Sequence, residues 1–120
     1  MTNDVSTVGH RLMDENSFNA IAEAELQVIA QAIDDSGIDC DAEFKSNGVL
    51  EVGFEDGTRM VINRHSAARE IWVAAKAGGF HFRHVDGQWR DSRDGRELRQ
   101  VLSELMTACA GEPLVLPVAS

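Results

Sequence analysis

Six carboxylates fall on two predicted surfaces: Glu23, Asp34 and Asp35 on the polar side or end of a helix, and Asp39, Asp41 and Glu43 on one face of a strand. Grouped carboxylates raise one another's proton affinity. They also suit hard, oxygen-seeking cations. Such a site holds no thiolate, imidazole or enclosing loop, so it binds weakly, reversibly and with little selectivity. The plain alternative is a solvated acidic face that keeps the protein soluble. The wider charge distribution has the same sense. Residues 1–57 hold thirteen acids against two bases, a net −11, whereas 58–120 hold nine bases against seven acids, a net +2. A one-sided negative field draws in cations or a basic protein surface. It repels nucleic acid and anionic membrane.

Other chemistry is sparse. The chain has no Gly-x-Ser-x-Gly, Walker loop, Gly-x-Gly-x-x-Gly or His-Glu-x-x-His pattern, and no tyrosine. His81 and His84 are three apart on a strand pattern and point to opposite faces, so they cannot clamp one metal. Cys40 and Cys109 lie on apolar sides of their elements and read as small buried hydrophobes. Two cysteines make no disulfide framework, which makes the reducing cytoplasm the default compartment. No organic cofactor and no catalytic residue is expected.

Local patterns place these residues. Phe18, Ala22, Leu26, Ile29 and Ile33 form a helical stripe over about 17–35, with Glu25 in conflict at its edge. Ile38, Cys40, Ala42 and Phe44 alternate with acids as a first strand. Leu50, Val52 and Phe54 form a second strand, and Asp56-Gly57 reads as a two-residue hairpin turn into Met60 and Ile62. Ile71, Val73 and Ala75 follow, then a turn at Gly78-Gly79, Phe80 to Phe82, and a second hairpin at Asp86-Gly87 before Trp89. Asp94 and Glu97 have capping-box spacing, so a last helix is predicted from Asp94 with Gly111 beyond its end. Leu114 to Leu116 predict an extended tail against the core. A chain of 120 residues makes one domain. Residues 1–14 read as a flexible N-terminal extension and 15–120 as the domain. The fold class is α+β: a two-layer sandwich, two helices on one face of an antiparallel sheet of about six strands. Glu51, Asn63 and Trp72 fall on the open face. No apolar run reaches the ~20 residues of a membrane span.

The stretch Asn47-Gly-Val-Leu-Glu-Val-Gly-Phe-Glu-Asp-Gly-Thr-Arg-Met-Val-Ile-Asn-Arg64 resembles the central hairpin of the frataxins. Ile71-Trp-Val-Ala-Ala-Lys-Ala-Gly-Gly-Phe-His-Phe82 resembles that family's most recognisable segment, and Asp34-Asp35 with Ile38-Asp39-Cys40-Asp41 is similar to its bacterial form. The resemblance covers about residues 15–112. It implies a small monomer of iron–sulfur cluster assembly that forms oligomers when iron induces them. It implies weak binding of ferrous and ferric iron on an acidic ridge, and docking on the cysteine desulfurase and iron–sulfur scaffold complex. Carried over by position, the metal residues are Asp34, Asp35, Asp39 and Asp41, with Glu23 and Glu15 nearby. The partner-binding residues are those four aspartates with Glu51, Asn63 and Trp72. The ridge is thinner than in familiar members, since Ala30, Gln31 and Gly37 stand where acids are expected. The rival readings are a ferroxidase or iron-storage protein and an acidic adaptor without a metal role.

Overall fold

The fold was described from a computed structural model, which covers residues 13–46 and 48–117. Helix α1 spans Glu15–Ser36. It begins at Asp14, whose Oδ1 accepts the Ser17 amide at 2.8 Å, and it stops at Gly37, whose φ of 74° suits glycine. Asp14 is therefore a helix cap, not part of a loose lead-in. Met13 packs against the core, and its carbonyl accepts Arg69 Nε at 3.0 Å. The rest of the expected extension, residues 1–12, lies outside the described residues.

Six strands follow: β1 (Cys40–Ser46), β2 (Val49–Phe54), β3 (Arg59–His65), β4 (Glu70–Ala75), β5 (Gly78–Val85) and β6 (Gln88–Asp91). They pair in chain order as one antiparallel meander. Helix α2 (Leu98–Ala110) closes the order and ends at Gly111 in the left-handed region. Side chains alternate across the sheet. Leu50, Val52, Met60, Ile62, Ile71, Val73, Phe82 and Trp89 face the helices and are buried with Phe18, Leu26, Ile29 and Ile33 of α1. Leu98, Val101, Leu102 and Met106 of α2 complete the core. The architecture is the expected two-layer α+β sandwich.

Local chemistry departs from expectation at four points. The Asp56-Gly57 hairpin is longer than a two-residue turn. Phe54 N donates to Thr58 O, Gly57 N donates to Phe54 O, and of the loop residues only Gly57 takes positive φ. Asp86 and Gly87 both take positive φ (51° and 82°) and do make the two-residue turn. Gly78 and Gly79 lie within β5; the turn before them is Lys76-Ala77. Helix α2 starts four residues later than predicted. Asp94 Oδ1 accepts the Arg96 amide in a local turn, Gly95 sits at φ 76°, and Glu97 becomes the cap, accepting the Arg99 and Gln100 amides. Phe44, expected on the apolar face, is exposed at the far end of the edge strand β1, and Ile38 precedes that strand.

Two long-range contacts lock the helices and tail. Glu25 is buried and takes Nε and Nη2 of Arg99 at 2.8 Å each. That pair explains the one charged residue in the apolar stripe of α1. The tail lies extended as predicted, with Leu114 and Leu116 buried and their amides donating to Thr107 Oγ1 and Ser103 Oγ.

Candidate functional site

Successive helical residues are fanned by ~100°, so Asp34 and Asp35 leave α1 in different directions. Asp34 shares a side of the helix with Glu23, Gln27 and Ala30 and turns toward β1. With Asp41, Cys40, Gln27 and Ala30 it lines a cleft of about 230 Å³ between α1 and β1. Asp35 turns the other way, toward a groove shared with Val28, Arg99, Leu116 and Pro117. Its Oδ1 accepts Gln31 Nε2 at 2.9 Å. The predicted ridge therefore divides: Asp34 and Asp41 share a cleft, and Asp35 does not enter it.

Asp39 stands just before β1, where the register Cys40↔Phe54 brings it against the β2–β3 loop. There the Asp39 and Glu55 carboxyls lie close enough to share a proton. That contact and the repulsion between the two hold Glu55 above its ordinary proton affinity, with Glu112 adding to the repulsion. Sequence reading missed Glu55 and Glu112. Glu55 needed the strand register and Glu112 the path of the chain past α2, and neither is a local pattern.

The remaining predicted acids are engaged or distant. Glu23 Oε1 accepts Arg64 Nη1 at 3.2 Å and its Oε2 accepts Gln27 Nε2 at 3.3 Å, so its charge is balanced within the fold. Glu15 is exposed in the first turn of α1, about 30 Å from Asp35 at 1.5 Å rise per residue. Glu51 on the open sheet face is bridged by Arg59 at 2.8 Å and Lys45 at 3.6 Å, and Lys45 also reaches Glu43 at 3.4 Å. Cys40 is half-buried, as is Cys109, rather than fully enclosed. Burial pushes the Cys40 thiol up, and the charges of Asp41 and Asp39 add to the effect, so the thiol form is favoured over thiolate.

Among the described residues, no three His, Cys, Asp or Glu side chains group closely enough to hold one ion. A cation in the α1–β1 cleft would meet Asp34 from the helix, with Asp41 at the rim on β1, and would take the rest of its donors from water. That donor set fits a hard ion held loosely in an open, hydrated site.

The open face carries a different cluster. Asn63, Trp72 and His81 are cross-strand neighbours in one row, and His65, Glu70 and Arg83 form the next. Trp72 is half-buried, not freely exposed as expected, because the His65 and His81 rings lie against its two sides. His84 points the other way and meets Trp89, as the spacing predicted.

Residues 11–112 match the family profile described as a frataxin-like domain. The chain belongs to the frataxin family. It is 50% identical over 104 residues to the iron–sulfur cluster assembly protein CyaY of Dechloromonas aromatica (strain RCB), covering 87% of this chain and 99% of the relative. The CyaY of Paraburkholderia phymatum is 47% identical over 103 residues, covering 85% and 96%. Among solved structures, frataxin from Psychromonas ingrahamii superposes with a TM-score of 0.82 at 28% identity, covering 88% of this chain and 99% of that one. The helix–meander–helix order is thus that of bacterial frataxins. No described helix is long and apolar enough to cross a membrane.

Proposed function

We propose that this chain is an iron-binding accessory protein of iron–sulfur cluster assembly that regulates the cysteine desulfurase–scaffold complex without being an enzyme itself. The observation that carries this reading is the α1–β1 cleft, lined by Asp34 and Asp41 at the acidic edge of a frataxin-family fold. Relatives of near-complete coverage are named for cluster assembly. Two carboxylates and water would hold ferrous or ferric iron weakly and release it readily. The same edge, with Asp39 and Asp35 to either side, would meet a basic patch of the partner by electrostatic steering. Asn63 and Trp72 would make a second contact from the open sheet face, with Glu51 and its partners Arg59 and Lys45 at one end. The protein would act as a cytoplasmic monomer.

Ferrous iron added under argon to isotope-labelled protein tests the metal part, and cysteine desulfurase added afterwards tests the docking part. Both are read at backbone amides. Loss of signal at Asp34 and Asp41 with iron, and along Asp34 to Asp41 with the desulfurase, is expected. Unchanged signals in both titrations would remove the proposal. Asp34 lines the cleft from α1, so Asp34→Asn should weaken the iron response, whereas the amide of Glu15, at the other end of α1, should be unaffected.

A further inference from the structure

Trp72 is held on all its interacting surfaces by its own fold. The His65 ring stacks on one side, centroids 3.8 Å apart and planes within 15°. The His81 ring stacks on it at 4.4 Å and 13°. The indole N–H donates to Glu70 Oε1 at 2.8 Å. Glu70 is buried and its other oxygen takes Arg83 Nη2 at 3.1 Å. His65 is fixed in turn, since its Nδ1 accepts the Ala68 amide at 3.3 Å. Three strands therefore contribute to one three-ring stack, in register across β3, β4 and β5.

This arrangement limits how Trp72 can meet a partner. Its faces are covered and its donor is used, so it cannot insert as a free slab or offer a hydrogen bond. What it presents is the edge of a rigid stack. A side chain already locked in one rotamer loses little entropy when it docks. The charges around the stack are known. Asn63 is neutral, Glu70 is balanced by Arg83, and Arg90 lies directly across from Arg83 on β6. Arg90 donates to the Gly95 carbonyl and the Gln88 side chain, both uncharged. Arg90 is therefore the unbalanced charge on this face, and the surplus there is positive.

We propose that His65 and His81 are positioning residues that fix Trp72 as a preformed, edge-on anchor for an acidic segment of the partner complex. The inference rests on the docking reading above and names what its second contact is. Two double variants separate positioning from mere stability. His65→Ala/His81→Ala removes the stack; His65→Phe/His81→Phe keeps the rings and removes the protons.

The first readout needs no partner: the two indole N–H signals of the full chain at pH 7. Trp89, buried against Phe18 and outside the stack, serves as the internal reference. The Trp72 signal should stay sharp in the wild type and the phenylalanine variant, and broaden in the alanine variant. The second readout is calorimetric affinity for the recombinant cysteine desulfurase–scaffold complex. The alanine variant should bind about tenfold more weakly, the scale of losing two aromatic pairs. The phenylalanine variant should bind within about twofold of wild type.

Wild-type affinity in the alanine variant, or an indole signal unchanged by the alanine substitutions, overturns the inference alone. No wild-type binding overturns the docking reading and the anchor with it, so the two failures are distinguishable.

Discussion

Replacing Arg99 by Leu should test the long-range lock of the fold severely. Arg99 is mostly buried and gives Glu25 two hydrogen bonds of 2.8 Å, while its Nη1 reaches the Pro117 carbonyl at 2.8 Å. In the variant, Glu25 stays buried beside Glu97 with no cation near it. Removing one partner of a buried pair costs about 3–5 kcal/mol, because the other charge is left uncompensated. Releasing the tail carbonyl adds roughly 1 kcal/mol. Unfolding entropy near 2.1 cal/mol/K per residue gives about 0.25 kcal/mol/K for this length. A loss of ~4 kcal/mol then lowers Tm by about 16 °C. Urea unfolding followed by circular dichroism at pH 7 measures the loss directly. Glu25→Leu/Arg99→Leu removes both charges and should recover most of the stability. A deficit below about 1 kcal/mol for Arg99→Leu at pH 7 would refute the reasoning, since that is the value of a solvated surface pair.

Three further outcomes are expected. Gly48→Ala should cost about 1–3 kcal/mol in thermal unfolding, because Gly48 has φ 75° and an added Cβ would meet Arg64 Nε at 2.7 Å. Glu97→Gln keeps the α2 cap and removes a charge that burial disfavours. Glu97 sits above its ordinary value of 4.5, so wild-type stability falls as pH rises from 4.5 through the raised folded value; urea midpoints of the Gln variant should gain on wild type across that window. Asp34→Asn should abolish iron-induced amide changes in the α1–β1 cleft, whereas Glu15→Gln should leave them intact; equal effects would contradict the division of the ridge.

Much of the fold was legible in periodicity. The α1 stripe, the alternating strands and the positive-φ turn at Asp86-Gly87 are local patterns, and local patterns set these elements. What escaped was set by distant partners or by competing local bonds. Glu25 looked misplaced because its partner is 74 residues away. The late start of α2 follows from Gly95, whose left-handed backbone no helix accepts, and Asp94 spends its side chain on a turn. The grouping of acids was legible but their directions were not used. The ~100° fan separates Asp34 from Asp35, and strand register joins Asp39 to Glu55. On the open face, Trp72 was placed correctly, yet its covering rings come from two other strands and required the register of all three.

Affinity for the cysteine desulfurase–scaffold complex measured against salt, for wild type and Asp34→Asn/Asp41→Asn, tests most directly the proposal that the α1–β1 edge steers the chain onto that complex. Wild-type binding should weaken steeply with salt, and the variant should bind more weakly with a shallower salt dependence. Identical affinities and salt slopes for the two proteins would contradict it.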